Sequence, residues 1–283
     1  IPFVAFFGPE ALGVRALSIL SGIGIIILSF FIGKKLFSEK VGLAAGALAA
    51  VSPWDISLSR GGFEAHFALF LVLLGTYFFI KAKENNSLYL ISAVSFGLTL
   101  HTYPTYKITL PIFLIVLFWF YGPKKFLRES YFFGGLLILL ILGILSFTQT
   151  FIGGSEERFS NINIFAREEL KASIEQKVNF ERQITQLPQP LVQYFHNKPV
   201  EYTKIILENY LKNFSLDFLI IHGDGNPRHN MATMGGIYLA QLILIMIGFL
   251  IYWARSKRNL MFLLGWLLIA PIPASLTYDG GFH

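Results

Sequence analysis

From Val14 to Ile32 the chain carries a single ionisable side chain, Arg15, and comparable apolar stretches recur along most of its length. A hydrocarbon core of about 30 Å is crossed by about 20 mostly apolar residues in helical form, because lipid offers the backbone no hydrogen-bond partners. Candidate spans fall at 14–32, 41–53, 64–80, 88–101, 108–121, 131–149, 235–254 and 260–275. The pattern predicts an all-α fold, a polytopic transmembrane helix bundle of about eight spans. Composition agrees, since only 14% of the 283 residues are charged and 54% are hydrophobic, against about 25% charged in an ordinary soluble domain. The second span is short. Ser52-Pro53 should end it, because Pro lacks an N–H and its predecessor avoids helical geometry, so cover from protein or a water-filled cavity is needed there.

The connections carry an orientation signal. Lys34, Lys35 and Lys40, then Lys81 and Lys83, then Lys124, Lys125 and Arg128, then Arg255, Lys257 and Arg258 occupy alternate loops, while the short loops between them hold only Arg60 and Lys107. The positive-inside rule puts the first set in the cytoplasm and the second set outside. The net charge of +6 is thus a matter of membrane sidedness, and no nucleic-acid partner is expected. With no Cys in the chain, disulfide frameworks, thiolate metal sites and cysteine nucleophiles are excluded.

Three regions follow: a membrane core over 1–149 with about six spans, an extracytoplasmic loop domain over 150–234, and the last part of the core over 235–283 with about two spans. The long loop holds nine Lys/Arg and ten Asp/Glu but no apolar run long enough to cross. Within it Phe165–Gln186 and Val200–Leu219 read as short helices lying against the membrane or the bundle. Ile1–Gly8 is apolar but too short to cross and reads as an interfacial helix. Beginning at Ile1 and ending at Phe282-His283, the chain reads as part of a longer protein with at least one span upstream.

Polar residues gather in the connections placed outside. Ser52–His66 contains Asp55, Arg60, Glu64 and His66 within about one helix turn of the lipid boundary, a depth at which ionisable groups are paired or face a wet cavity. Asp55 and Arg60 either pair to cap the next helix or stand at a cavity mouth to meet a metal ion, a phosphate or a substrate hydroxyl. A continuous helix from Ser59 would pair Arg60 with Glu64, but Gly61-Gly62 argues for a break. Glu64 is the residue best placed to bind a divalent ion or orient an acceptor. His101-Thr-Tyr103-Pro-Thr-Tyr-Lys107 forms the next connection, where Lys107 either snorkels or holds a lipid phosphate as a point charge. His222–Asn230, with Arg228 and His229, is either a tight turn or an anion-binding loop. A fourth cluster, Asp279–His283, is the weakest. Ser21-Gly22-Ile-Gly24 lies within a span, where small residues allow close helix packing.

There is no Walker A loop, HExxH pair or GxSxG elbow, and the spans hold few charges of the kind that line ion paths. Ser52-Pro53-Trp54 to Ser59-Arg60, with Glu64 four positions on, resembles the second external loop of GT-C membrane glycosyltransferases, in the branch of the protein O-mannosyltransferases, the aminoarabinose-to-lipid A transferases and the Rgt-type lipopolysaccharide glycosyltransferases. The similarity runs from Ile1 to about Lys125 and resumes near Gly223–Asn230.

That resemblance implies a sugar donor linked to polyprenyl phosphate, an extracytoplasmic lipid, glycan or protein acceptor, contact with membrane lipid, and a first external loop, before Ile1, that supplies a catalytic carboxylate. The 283 residues alone should then be inactive. It implies catalytic roles only for Glu64 and Arg60. Asp55, His66, His101, Tyr103, Lys107, Arg228 and His229 are substrate- and phosphate-binding candidates by charge and location. No cofactor is implied beyond a divalent ion, Mg or Mn, with Glu64 as a ligand. The expected residence is a prokaryotic inner membrane with the site on its outer face. A transporter or flippase is the alternative, but the chain shows none of the inverted repeats with broken midplane helices that such proteins use.

Overall fold

A computed structural model of the chain describes residues 8, 11–123, 129–152, 163–186, 188–225 and 234–278. The helices in chain order are α1 (Ala11–Leu36), α2 (Glu39–Ala50), α3 (Pro53–Gly61), α4 (Glu64–Lys81), α5 (Leu88–Thr102), α6 (Tyr106–Tyr121), α7 (Ser130–Ile152), α8 (Glu168–Ile184), α9 (Gln189–Phe195), α10 (Lys198–Lys212), a π turn (Asp217–Ile221), α11 (Leu239–Arg255), α12 (Lys257–Ile269) and α13 (Ile272–Ser275). The fold is all-α among the described residues, with one isolated bridge between Asn163 and Thr277. Each apolar segment expected to cross contains a helix, although the one expected over 235–254 becomes helical only at Leu239. Of the eight crossings expected, four helical segments among the described residues are long and apolar enough to span, or five if α2 and α3, bent by 53°, count as one, while α5, α6 and α11 are shorter apolar helices.

Local chemistry sets the starts of α2 and α3. Ser38 caps α2, its side chain accepting from Val41 N at 3.4 Å. Pro53 opens α3 from its first position, where a missing N–H costs nothing. The segment after Pro53, expected as a loop, is therefore helical. Small residues bring α1 and α2 together: a Cβ added at Gly42 would lie 2.5 Å from Phe30 O, with backbone rather than a flexible side chain in its way.

The core joins α4, α5, α6 and α12 around Phe96, Phe113, Leu117, Tyr121 and Phe262, with Phe113 and Trp266 ring centroids 4.6 Å apart. By contrast α7 and α11 expose long apolar side chains, Leu137, Ile144 and Leu250 among them. In a multi-pass membrane protein that surface faces acyl chains, which solvate it as well as other Leu side chains would.

The basic connections meet at one end. Lys35 bonds Glu84 and, through that contact, holds the Glu84 carboxyl below the usual carboxylate range. Asn86 donates to Glu129 at 2.6 Å. Tyr121 donates to Asn259 at 2.6 Å, Asn259 in turn bonds Leu36 O, and Arg258 bonds Phe120 O. Loops far apart in sequence thus share one rim, which is the arrangement the alternation of basic residues requires.

The described part of the long loop is largely helical, as its amphipathic segments anticipate, with α9 in addition. Glu201 on α10 is 1% exposed and bridges Lys177 of α8 at 2.6 Å and Lys204 within α10. Burial opposes its ionisation, yet the hydrogen bonds from Lys177 and Lys204 prevail and hold its carboxyl below the usual range. Lys177 is raised by the same contact. His196 Nδ1 lies 2.7 Å from Glu181 and Arg182 donates to His196 O at 2.7 Å, which ties α9 to α8. Asn209 donates to Thr277 O and Tyr210 to Leu268 O, so α10 rests on the ends of α12 and α13.

Candidate active site

The helix break that Gly61-Gly62 suggests is present. Gly62 has φ +73°, the left-handed conformation that ends α3, and α4 starts two residues later at Glu64. Only glycine adopts that conformation without a steric penalty. Arg60 closes α3 and Glu64 opens α4. Both are exposed, and among the described residues neither has an ion-pair partner. Two opposite charges thus stand on either side of the turn at Gly62.

Asp55 pairs with His66 instead of Arg60. The imidazole Nε2 lies 2.8 Å from Asp55 Oδ1, with His66 1% and Asp55 8% exposed. This replaces the capping pair between Asp55 and Arg60 with a buried contact that joins α3 to α4. His66 Nδ1 is buried with no hydrogen-bond partner among the described residues. On the far side, a Cβ at Gly22 of α1 would run into Ser59 Oγ and come within 3.1 Å of His66 Cε1. The small residues of α1 therefore let its backbone close over the pair.

His101 and Lys107 sit at the α5–α6 corner and reach to α7. The His101 ring nitrogens face Gln149 Oε1 at 3.1 Å and Leu142 O at 3.0 Å. Lys107 donates to Ser146 O at 3.2 Å and to Thr150 Oγ1. Tyr103 and Tyr106 pack edge to face at 6.4 Å. One helical turn beyond Lys107, Leu110 and Pro111 begin to line an apolar groove of about 540 Å³ that continues over Leu114, Leu140, Ile144 and Phe147. This groove belongs to α5, α6 and α7, whereas α3 packs on α1, α2 and α4. Neither Arg60 nor Glu64 lines it.

The return of the long loop docks on α3. Gly235 N donates to Ile220 O at 2.9 Å and Ile237 N to Leu219 O at 3.0 Å, fixing residues 235–237 against the π turn. Trp54 N and Ser52 Oγ both donate to Gly236 O, at 3.3 and 3.4 Å. His222 and Asp217 pair at 2.5 Å beside that turn. Two clusters separated by some 170 residues in sequence are therefore neighbours at the start of α3. Arg228, His229 and Asp279–His283 lie outside the described residues, as do Ile1–Phe7, Lys124, Lys125 and Arg128. The pairing of Asp55 with His66 and the docking of Gly236 on Trp54 escape sequence reasoning, because each depends on a turn rather than on spacing.

Among the described residues no group of three or more His, Asp or Glu comes together to hold a metal ion. Glu64 belongs to no such group. A family model described as dolichyl-phosphate-mannose-protein mannosyltransferase matches residues 2–147, just over half of the chain. No curated protein and no solved structure matches.

Proposed function

The chain belongs to the dolichyl-phosphate-mannose-protein mannosyltransferase family, hence to the GT-C type of multi-pass membrane glycosyltransferases, and on that premise we propose that it moves one sugar from a polyprenyl-phosphate carrier to an extracytoplasmic acceptor. The observation that carries this reading is the turn between α3 and α4. Arg60 and Glu64 stand exposed on its two sides, opposite in charge and without an ion pair among the described residues.

Displacement at an anomeric carbon develops negative charge on the departing phosphate and needs the acceptor hydroxyl to lose a proton. A guanidinium presents planar donors that suit a phosphate, and a carboxylate can orient or deprotonate a hydroxyl. In this reading Arg60 faces the leaving phosphate and Glu64 the acceptor. A divalent ion, Mg or Mn, would find one carboxylate ligand in Glu64 and another ligand in the donor phosphate. Loss of transfer on chelation, restored by Mg or Mn, would establish that dependence.

The reading is tested by incubating membranes that contain the full-length protein with a labelled polyprenyl-phosphate sugar. Label appearing in a lipid, glycan or protein product supports it. Uptake of sugar without transfer would favour a transporter, and neither outcome would leave a non-catalytic role.

A further inference from the structure

Asp55 and His66 enclose the six-residue path Ser59–Glu64 from below. Their hydrogen bond, 2.8 Å long and almost wholly buried, is the side-chain link between α3 and α4 that flanks the left-handed turn at Gly62. The start of α3 is already held by Trp54 and Ser52 on Gly236. Its end carries Arg60, and the start of α4 carries Glu64. With α3 fixed at one end, the remaining freedom of the turn is a swing about Gly62, and the Asp55–His66 contact opposes that swing. On the other side α1 runs close enough that a Cβ added at Gly22 would meet Ser59 Oγ and His66 Cε1, so α1 limits the room into which the pair could shift.

We propose that Asp55 and His66 are positioning residues that fix the separation of Arg60 and Glu64, acting through the turn and touching neither donor nor acceptor. This rests on the glycosyltransferase reading only for its catalytic consequence. The geometric claim stands apart from it. Charged groups that must meet two reacting partners lose effect steeply with displacement, about 10²-fold for a 1 Å error. Removing the pair should therefore lower turnover more than binding.

The chain has no native cysteine, so Glu64→Cys gives a single reporter at the turn. Its alkylation by a water-soluble maleimide is compared alone and combined with His66→Ala, Asp55→Ala or His66→Gln. If the pair sets the turn, both alanine variants change the labelling rate at least threefold, and His66→Gln, which retains a donor toward Asp55, returns most of the way. An unchanged rate overturns the proposal. Should the alanine variants fail to fold, Gly22→Ala perturbs the same contact from α1 and must shift the rate in the same way. In the transfer assay with Glu64 intact, the alanine variants lower kcat about tenfold or more with the donor KM within about threefold, and His66→Gln recovers most of that loss. A rise in KM with kcat unchanged overturns the proposal. If the unaltered protein transfers no sugar, the functional reading fails while the labelling still decides whether the pair positions the turn.

Discussion

Glu64 and Arg60 are recognisable in the sequence because each is ionisable at the boundary of an apolar run, a place where charge is costly unless it has a task. Glu64→Gln keeps the shape and removes the charge, so turnover in the full-length protein should fall by about 10²-fold or more while expression persists. Full activity in Glu64→Gln, measured with labelled donor, would remove Glu64 from the reaction. Asp55 was legible as an unusual residue but not as the partner of His66. Eleven positions separate them, and their meeting depends on the left-handed Gly62, whose conformation the sequence permits without imposing it. Glu201 offers a prediction of a different kind. Its folded pKa is depressed by Lys177 and Lys204, so its stabilisation is present above the unfolded value of about 4.3 and is lost as pH falls through the lower folded value. The α8–α10 contact should hold at neutral pH and loosen progressively as pH falls from the unfolded value toward the lower folded one. Glu201→Gln should weaken it at neutral pH by roughly 1–2 kcal/mol, discounted because both lysines are half exposed. Limited proteolysis of the 163–225 region, faster in Glu201→Gln at neutral pH, checks this. Equal cleavage rates would mean that the buried carboxylate contributes little.

Elements were legible in proportion to the length of their apolar pattern. The spans show because lipid imposes one composition along a whole helix, and α8 and α10 show because their apolar positions recur at helical spacing. Helix α3 did not show, since Pro53 was read as the stop it is for α2 without the start it supplies for the next helix. Helix α9 has seven residues beginning near Pro188 and Pro190, too short to form by propensity alone. What holds it is tertiary, namely Arg182 on His196 O and His196 on Glu181. Packing between elements yields a paired test. In Gly42→Leu the new side chain meets the Phe30 carbonyl and Lys34 N of α1, which cannot yield without separating α1 from α2. In Gly248→Leu on α11 nothing lies within 4 Å. The first should lose about 1–3 kcal/mol through overpacking, and the second should gain up to about 1 kcal/mol from helix propensity. Thermal unfolding in detergent compares them, and equal midpoints would contradict the α1–α2 contact.

At the scale of the whole molecule, the alternation of basic loops and the folded arrangement bear on each other without sharing an assumption. The first counts Lys and Arg, while the second joins Lys35 to Glu84, Asn86 to Glu129 and Asn259 to both Tyr121 and Leu36 at one rim. A chain that reversed any one of its first crossings could not bring those loops together. The opposite rim holds Arg60, Glu64, His101 and Lys107, together with the long loop seated on Trp54 and Thr277. Which rim meets the cytoplasm is a separate question, and charge alone addresses it. The positive-inside rule places Lys34, Lys81, Lys124 and Lys257 in the cytoplasm, and Glu64, Lys107 and Arg228 outside. Single cysteines introduced at these positions and at Ala172 can be tested with an impermeant thiol reagent on intact cells and on inverted vesicles. Glu64→Cys and Ala172→Cys should react in intact cells, and Lys34→Cys and Lys257→Cys only in inverted vesicles. A complete reversal would keep the fold and move the site to the cytoplasmic face, where an extracytoplasmic acceptor could not reach it. A mixture within one rim would instead contradict the bundle itself, because Lys34 and Lys257 flank loops that the Asn259–Leu36 contact holds together.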